Sequence, residues 1–259
     1  MLAALTRVTS SAVAAAVSSA VSSASSSEEL ASVGLAAAVE AGELADVNRL
    51  LDHADVAAQP DLLFVACEKG HAAIMRLLIE RGASPSQVLG DGTTPLYVAA
   101  RFGHREATMV LLAAGCGVDE SVAHGITPLL AACERGAGSV VEVLLAASAD
   151  VARPRDNGAT PLFEASARGY AQLVRQLLAA GATVDPLRCV LQGMGEQGCM
   201  TPLWASCANG HEEAAEALLG ARADVSRVLL RGLTPLFAAL RNGHARVAAT
   251  LLKAAANTA

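Results

Sequence analysis

The tripeptide Thr-Pro-Leu occurs five times, at Thr94, Thr127, Thr160, Thr201 and Thr234, in steps of 33, 33, 41 and 33 residues. A fixed period of this length restricts the chain to architectures in which one small unit stacks on copies of itself. Nine residues after each Thr stands a glycine: Gly103, Gly136, Gly169, Gly210 and Gly243. A histidine follows it in three copies, as His104, His211 and His244. Eight residues after each glycine a Leu-Leu pair begins, the first being Leu111-Leu112 and the last Leu251-Leu252. The segment from Asp61 through Gly70-His71 to Leu77-Leu78 keeps this frame without Thr-Pro. A weaker copy runs from Leu35 through Gly42 to Leu50-Leu51.

Each recurring residue has a mechanical reason. A Thr hydroxyl can accept from an orphan N–H at a helix start. Proline suits the first helical position, where its missing donor is not needed. Leu96, Ala99 and Ala100 then fall on one helical face. The glycine can take positive φ and stop the helix. A second amphipathic segment follows, such as residues 105–114, and ends at Gly115. Helices of eight to ten residues are too short to stand alone, so stacking is the expected fold.

Composition agrees with stacking. Of the 259 residues 53% are hydrophobic, yet only 3% are aromatic and 17% charged. Small apolar residues suit many close helix contacts rather than one bulky core. The formal net charge of −6 argues against a general nucleic-acid surface. No apolar run of membrane-spanning length lacks an interruption, so a membrane span is not expected. The six cysteines include no Cys-x-x-Cys pair, which argues for reduced, buried thiols and against a zinc site.

The copies 91–104, Asp-Gly-Thr-Thr-Pro-Leu-Tyr-Val-Ala-Ala-Arg-Phe-Gly-His, and 157–165, Asn-Gly-Ala-Thr-Pro-Leu-Phe-Glu-Ala, resemble the ankyrin repeat. The resemblance runs from about Leu35 to Asn257. It implies an all-α fold, an α-solenoid of about seven helix-turn-helix repeats with short β-hairpin or turn fingers. The copies would span about 33–58, 59–90, 91–123, 124–156, 157–197 with an insertion, 198–230 and 231–257, within a repeat domain of 31–257. Val118, Val151, Val184 and Val225 occupy matching positions in the finger region. Partners of this family usually bind the concave side, made by first helices and finger tips.

Three departures from the family pattern stand out. Where the family often has His after Thr-Pro-Leu, this chain has Tyr97, Leu130, Phe163, Trp204 and Phe237, with Phe64 at the matching place in the second copy. A stacked ladder of half-buried rings between repeats is expected, and an aromatic ligand-binding strip is the alternative. The Thr hydroxyls would then be left to capping alone. Secondly, Ser148 and Arg222 stand where Gly82, Gly115 and Gly181 end other second helices. Either these helices end differently or both residues are strained, at roughly 1–2 kcal/mol each. Thirdly, the 41-residue step places about eight extra residues in one finger. Its Gly193-Met194-Gly195-Glu196-Gln197-Gly198 matches a dinucleotide-binding pattern, but without the parallel strand–helix–strand unit that pattern requires. A partner-specific contact by this long loop remains open.

No catalytic, cofactor or metal residues are expected. His71, His104, His211 and His244 sit at the family Gly-His position, and neither a nucleophile elbow nor a phosphate loop is present. The expected function is a non-enzymatic protein-binding module acting as scaffold, adaptor or inhibitor. The alternatives are a substrate-recruiting or assembly-chaperone subunit of the ubiquitin–proteasome machinery and an enzyme built on the repeats. The resemblance places partner contacts at the last two residues before the helix-ending glycine. Those positions give Lys69, Arg101, Phe102, Arg135, Arg168, Asn209, Arg241 and Asn242 as candidates. Helix dipoles favour bases there in any case. The sharper reading is a basic strip for an acidic or phosphorylated protein segment, with Phe102 as anchor and the chain a monomer.

Residues 1–30 form an Ala/Ser-rich tail with one base, Arg7, and no acid before Glu28. Such a segment reads as a flexible tail or loose helix, with organellar targeting as the alternative. The cysteine usage fits the cytoplasm or nucleus, or a reducing organelle lumen.

Overall fold

A computed structural model describes residues 27–52, 59, 61–185, 200–228 and 233–258. Most of the N-terminal tail, His53 and the stretch 186–199 with Cys189, Cys199 and the glycine-rich pattern lie outside the described residues. Fourteen α-helices follow one another in pairs among the described residues. The first helix of each pair is α1 (Ser27–Ala41), α3 (Asp61–Lys69), α5 (Pro95–Phe102), α7 (Pro128–Arg135), α9 (Pro161–Ala167), α11 (Pro202–Ala208) and α13 (Pro235–Arg241). The second helices are α2 (Leu44–Leu51), α4 (Ala72–Glu80), α6 (Arg105–Ala113), α8 (Gly138–Ala146), α10 (Ala171–Ala179), α12 (Glu212–Gly220) and α14 (Ala245–Thr258).

Each helix packs on its own partner and on its counterparts in the adjacent pairs, so the fold is a two-layer stack that grows in one direction. One continuous core runs through it, from Leu35 to Leu251, built largely of Leu, Ala and Val. Alanines such as Ala99, Ala132 and Ala165 are fully buried between first helices and permit the close approach.

The helix starts follow the sequence. The hydroxyls of Thr94, Thr127, Thr160, Thr201 and Thr234 accept the backbone N–H three residues on, at 3.1–3.2 Å. These threonines therefore cap and do nothing else that the side chain shows. Proline opens each of the five helices.

The fingers are turns. Leu89 N–H donates to Thr93 O at 2.9 Å, Val122 to Ile126 at 3.0 Å and Arg155 to Ala159 at 3.0 Å. Val122 and Ile126 form an isolated antiparallel bridge. Asp91 accepts the Thr93 N–H at 2.9 Å, which holds its carboxyl below the usual range. Asp119 accepts the Asp150 N–H, tying one finger base to the next.

Ser148 and Arg222 take φ of +66° and +65°, the conformation Gly82, Gly115 and Gly181 take elsewhere. The chain path is unchanged: Ala149 N–H donates to Leu144 O at 3.0 Å and Ala223 to Leu218 O at 3.0 Å, as Cys116 does to Leu111. Both residues are therefore strained. Ser148→Gly and Arg222→Gly should each stabilise by about 0.5–1 kcal/mol, the relief of the left-handed backbone less the added entropy of unfolded glycine. Thermal unfolding checks this, and a lowered melting temperature in both variants would refute the strain.

The ring position is filled as expected but the rings do not stack on one another. Phe64, Tyr97 and Phe163 are buried, Trp204 half-buried and Phe237 exposed. Tyr97 packs on Val122 and Ala131, and Phe163 on Ala159 and Ala205. Small residues of the next repeat, Ala131 beside Tyr97 and Ala205 beside Phe163, stand against the rings instead. Phe237 is exposed because no described repeat follows it.

Candidate functional site

The candidate residues lie where the first helices end. The helix-ending glycines, such as Gly103 at φ +79° and Gly136 at φ +73°, turn the chain sharply into the second helix. The two residues before each glycine thus form a row along one edge of the stack.

The row is not uniformly free. Lys69 Nζ lies 3.5 Å from Glu40 of the preceding pair. Arg168 pairs with Glu164 four residues earlier. The Asn209 amide donates to Ala167 O and the Asn242 amide to Ala208 O, both at 2.7 Å. These two asparagines hold one pair to the one before it. Arg101 donates to the Tyr97 hydroxyl at 3.1 Å, and its guanidinium carbon stands 6.0 Å from that ring's centre. Arg135 and Arg241 are exposed and have no ionic partner among the described residues. Phe102 is 45% exposed, and its ring lies parallel to His104 with centres 6.4 Å apart.

Arg155 was invisible to the sequence reading. It comes from a finger and meets Glu134 at 2.8 Å and Glu164 at 3.3 Å. Glu164 is buried and so receives both Arg155 and Arg168. This network pairs Arg168 and leaves Arg101, Arg135 and Arg241 as the row's cations without an acidic partner among the described residues. Sequence separations of 21 and 9 residues, with no helical spacing, gave no signal for it.

The histidines join repeat to repeat. A ring nitrogen, Nε2, stands within hydrogen-bonding distance of a carbonyl in the preceding pair: His71 with Glu40 O at 3.2 Å, His104 with Glu68 O at 2.7 Å, His211 with Ala167 O at 3.1 Å and His244 with Ala208 O at 3.1 Å. Each ring also covers the preceding pair's glycine so closely that a β-carbon there would stand 2.4–2.7 Å from a ring atom. Tyr170, which stands where the other repeats have histidine, fills the same place over Gly136. Ala137 stands there in α8's repeat.

Cys67, Cys133 and Cys207 lie buried in the core. Burial pushes Cys67, Cys133 and Cys207 up, Cys207 to about 12, with the Glu164 carboxylate adding to the effect at Cys133. Among the described residues, no three His, Cys, Asp or Glu side chains are grouped to hold a metal ion. No helix among them is long and apolar enough to cross a membrane.

A family model described as ankyrin repeats matches three times, at residues 35–122, 108–188 and 187–259. The crystal structure of the human ASB11 ankyrin repeat domain is similar, with a TM-score of 0.71 and 26% identity, covering 85% of this chain and 96% of that one. No curated protein matches the sequence.

Proposed function

The chain belongs to the ankyrin repeat family, and we propose on that basis that it binds an acidic or phosphorylated segment of another protein along the row of first-helix ends. Ankyrin repeats are in general protein–protein interaction modules, and the fold is typically a non-enzymatic scaffold. The observation that carries the finer reading is the pairing pattern of the row. Arg101, Arg135 and Arg241 keep their charge free of acidic partners on a chain of net charge −6. Helix dipoles alone would explain bases at these positions, but not an exposed aromatic beside them. Phe102 at 45% exposure next to Arg101 supplies the apolar anchor that such contacts use.

The chain would act as scaffold, adaptor or inhibitor by holding its partner on a largely preformed surface, so little ordering is needed on binding. A cytoplasmic or nuclear setting fits four buried, unpaired thiols.

The test uses a fluorescein-labelled peptide of alternating Glu and Ala and its phosphoserine counterpart. Arg101→Ala, Arg135→Ala and Phe102→Ala should each weaken binding about five- to tenfold. Melting temperatures should move little, because Arg135 and Phe102 are exposed and Arg101 gives up a single side-chain hydrogen bond. Unchanged affinity in all three variants would remove the reading. Loss of binding only as the melting temperature falls would show a structural role instead.

A further inference from the structure

One junction in the stack lacks a part that the others have. At five internal junctions a ring from the following pair covers the helix-ending glycine: His71 over Gly42, His104 over Gly70, Tyr170 over Gly136, His211 over Gly169 and His244 over Gly210. Over Gly103, beyond its chain neighbours Phe102 and His104, the nearest group is the Ala137 methyl, 3.5 Å from where a β-carbon would be. At this gap between α5 and α7 a methyl therefore stands where the following pair supplies a ring elsewhere.

This junction also lacks the donors, as does the junction at Gly136, where the Glu134 carbonyl accepts no hydrogen bond from any described residue. At the last two junctions the equivalent carbonyl, Ala167 O or Ala208 O, receives both a histidine Nε2 and an asparagine amide. The Arg101 carbonyl, its equivalent here, accepts no hydrogen bond from any described residue. Ala137 replaces the histidine, and Arg135 replaces the asparagine. Arg105, two residues after Gly103, is fixed to the next pair by Ser139 O at 2.9 Å and Glu142 at 3.1 Å. The junction thus offers a carbonyl acceptor without a donor, next to Gly103 and between the row positions of Arg101 and Arg135.

We infer that this gap seats one histidine side chain from the acidic segment bound to the row, its ring over Gly103 and an N–H donating to the Arg101 carbonyl. The inference rests on the binding reading above and names the partner's chemistry: a histidine flanked by carboxylates. The ring would complete the junction as the chain's own histidines complete the others, while Arg135 and Arg101 take the flanking charges. A histidine suits the gap because the fold already cuts this space to an imidazole at four other junctions. Phenylalanine would fill it without supplying the donor.

The experiment titrates the full chain, labelled with nitrogen-15, with the peptide Glu-Asp-His-Asp-Glu and its twin Glu-Asp-Ala-Asp-Glu, and repeats this on Ala137→His. The expected result has three parts. The histidine peptide binds the natural chain about five- to tenfold more tightly than its twin and shifts the amides of Gly103 and Ala137. In Ala137→His the preference disappears. The melting temperature of this variant rises by roughly 2–4 °C, because the junction gains its missing bond. Equal affinity for the two peptides, with binding retained, overturns the histidine site while leaving the acidic reading in place. Absence of binding by either peptide overturns both. Should Ala137→His fail to fold, Ala137→Asn, whose amide also caps α8, serves as the blocking variant with the same outcomes.

Discussion

Gly169→Ala should lower the melting temperature by roughly 6–12 °C, among the largest effects of any single methyl added to this chain. Two costs fall on one atom. Gly169 holds φ +76°, which costs an L-residue about 1–2 kcal/mol. The new carbon would also stand 2.4 Å from Nδ1 and 2.6 Å from Cγ of His211. The ring must move, which strains the packing by about 1–3 kcal/mol and weakens its bond to Ala167 O. Gly103→Ala is the control. It carries the same backbone cost at φ +79° but meets only the Ala137 methyl at 3.5 Å. Its melting temperature should fall by only about 2–6 °C. Equal losses in the two variants, followed by circular dichroism, would show that the rings contribute nothing to the junctions.

Leu144→Ala should cost about 2–5 kcal/mol and should change the form of unfolding as well as its midpoint. Leu144 is fully buried in α8, in the middle of the stack. A stacked protein holds together by nearest-neighbour interfaces, so a weak central pair lets the two ends unfold separately. Urea unfolding followed by far-ultraviolet circular dichroism should broaden into two steps. Leu251→Ala provides the comparison, since Leu251 is equally buried but lies in α14, the last described helix. That lesion frays one end and should leave a single transition. A single, equally shifted transition in both variants would mean that the stack unfolds as one unit.

The helix pairs were legible because their signals are local. Thr-Pro starts a helix and Gly stops it within eleven residues, and both act through the backbone of the segment that carries them. The strain at Ser148 and Arg222 was legible for a related reason. The register fixed the backbone conformation there, and neither residue has glycine's freedom to adopt it. The charge state of the row was not legible. Lys69, Arg101 and Arg168 look alike in the sequence, yet Lys69 lies beside Glu40, Arg101 donates to Tyr97, and Arg168 shares Glu164 with a finger residue. Asn209 and Asn242 likewise read as surface contacts, while their amides bind the preceding repeat. Tyr170 shares no residue type with the histidines, and only its ring over Gly136 shows that it takes their place.

The sequence alone therefore determined the repeating unit, its caps and the fact of stacking, since periodic local signals act on the residues that carry them. Only the tertiary structure decided which of the equivalent positions are occupied and which are open. Contacts between repeats join residues about one period apart, and one side chain's replacement, as at Ala137, empties a space whose walls belong to another repeat.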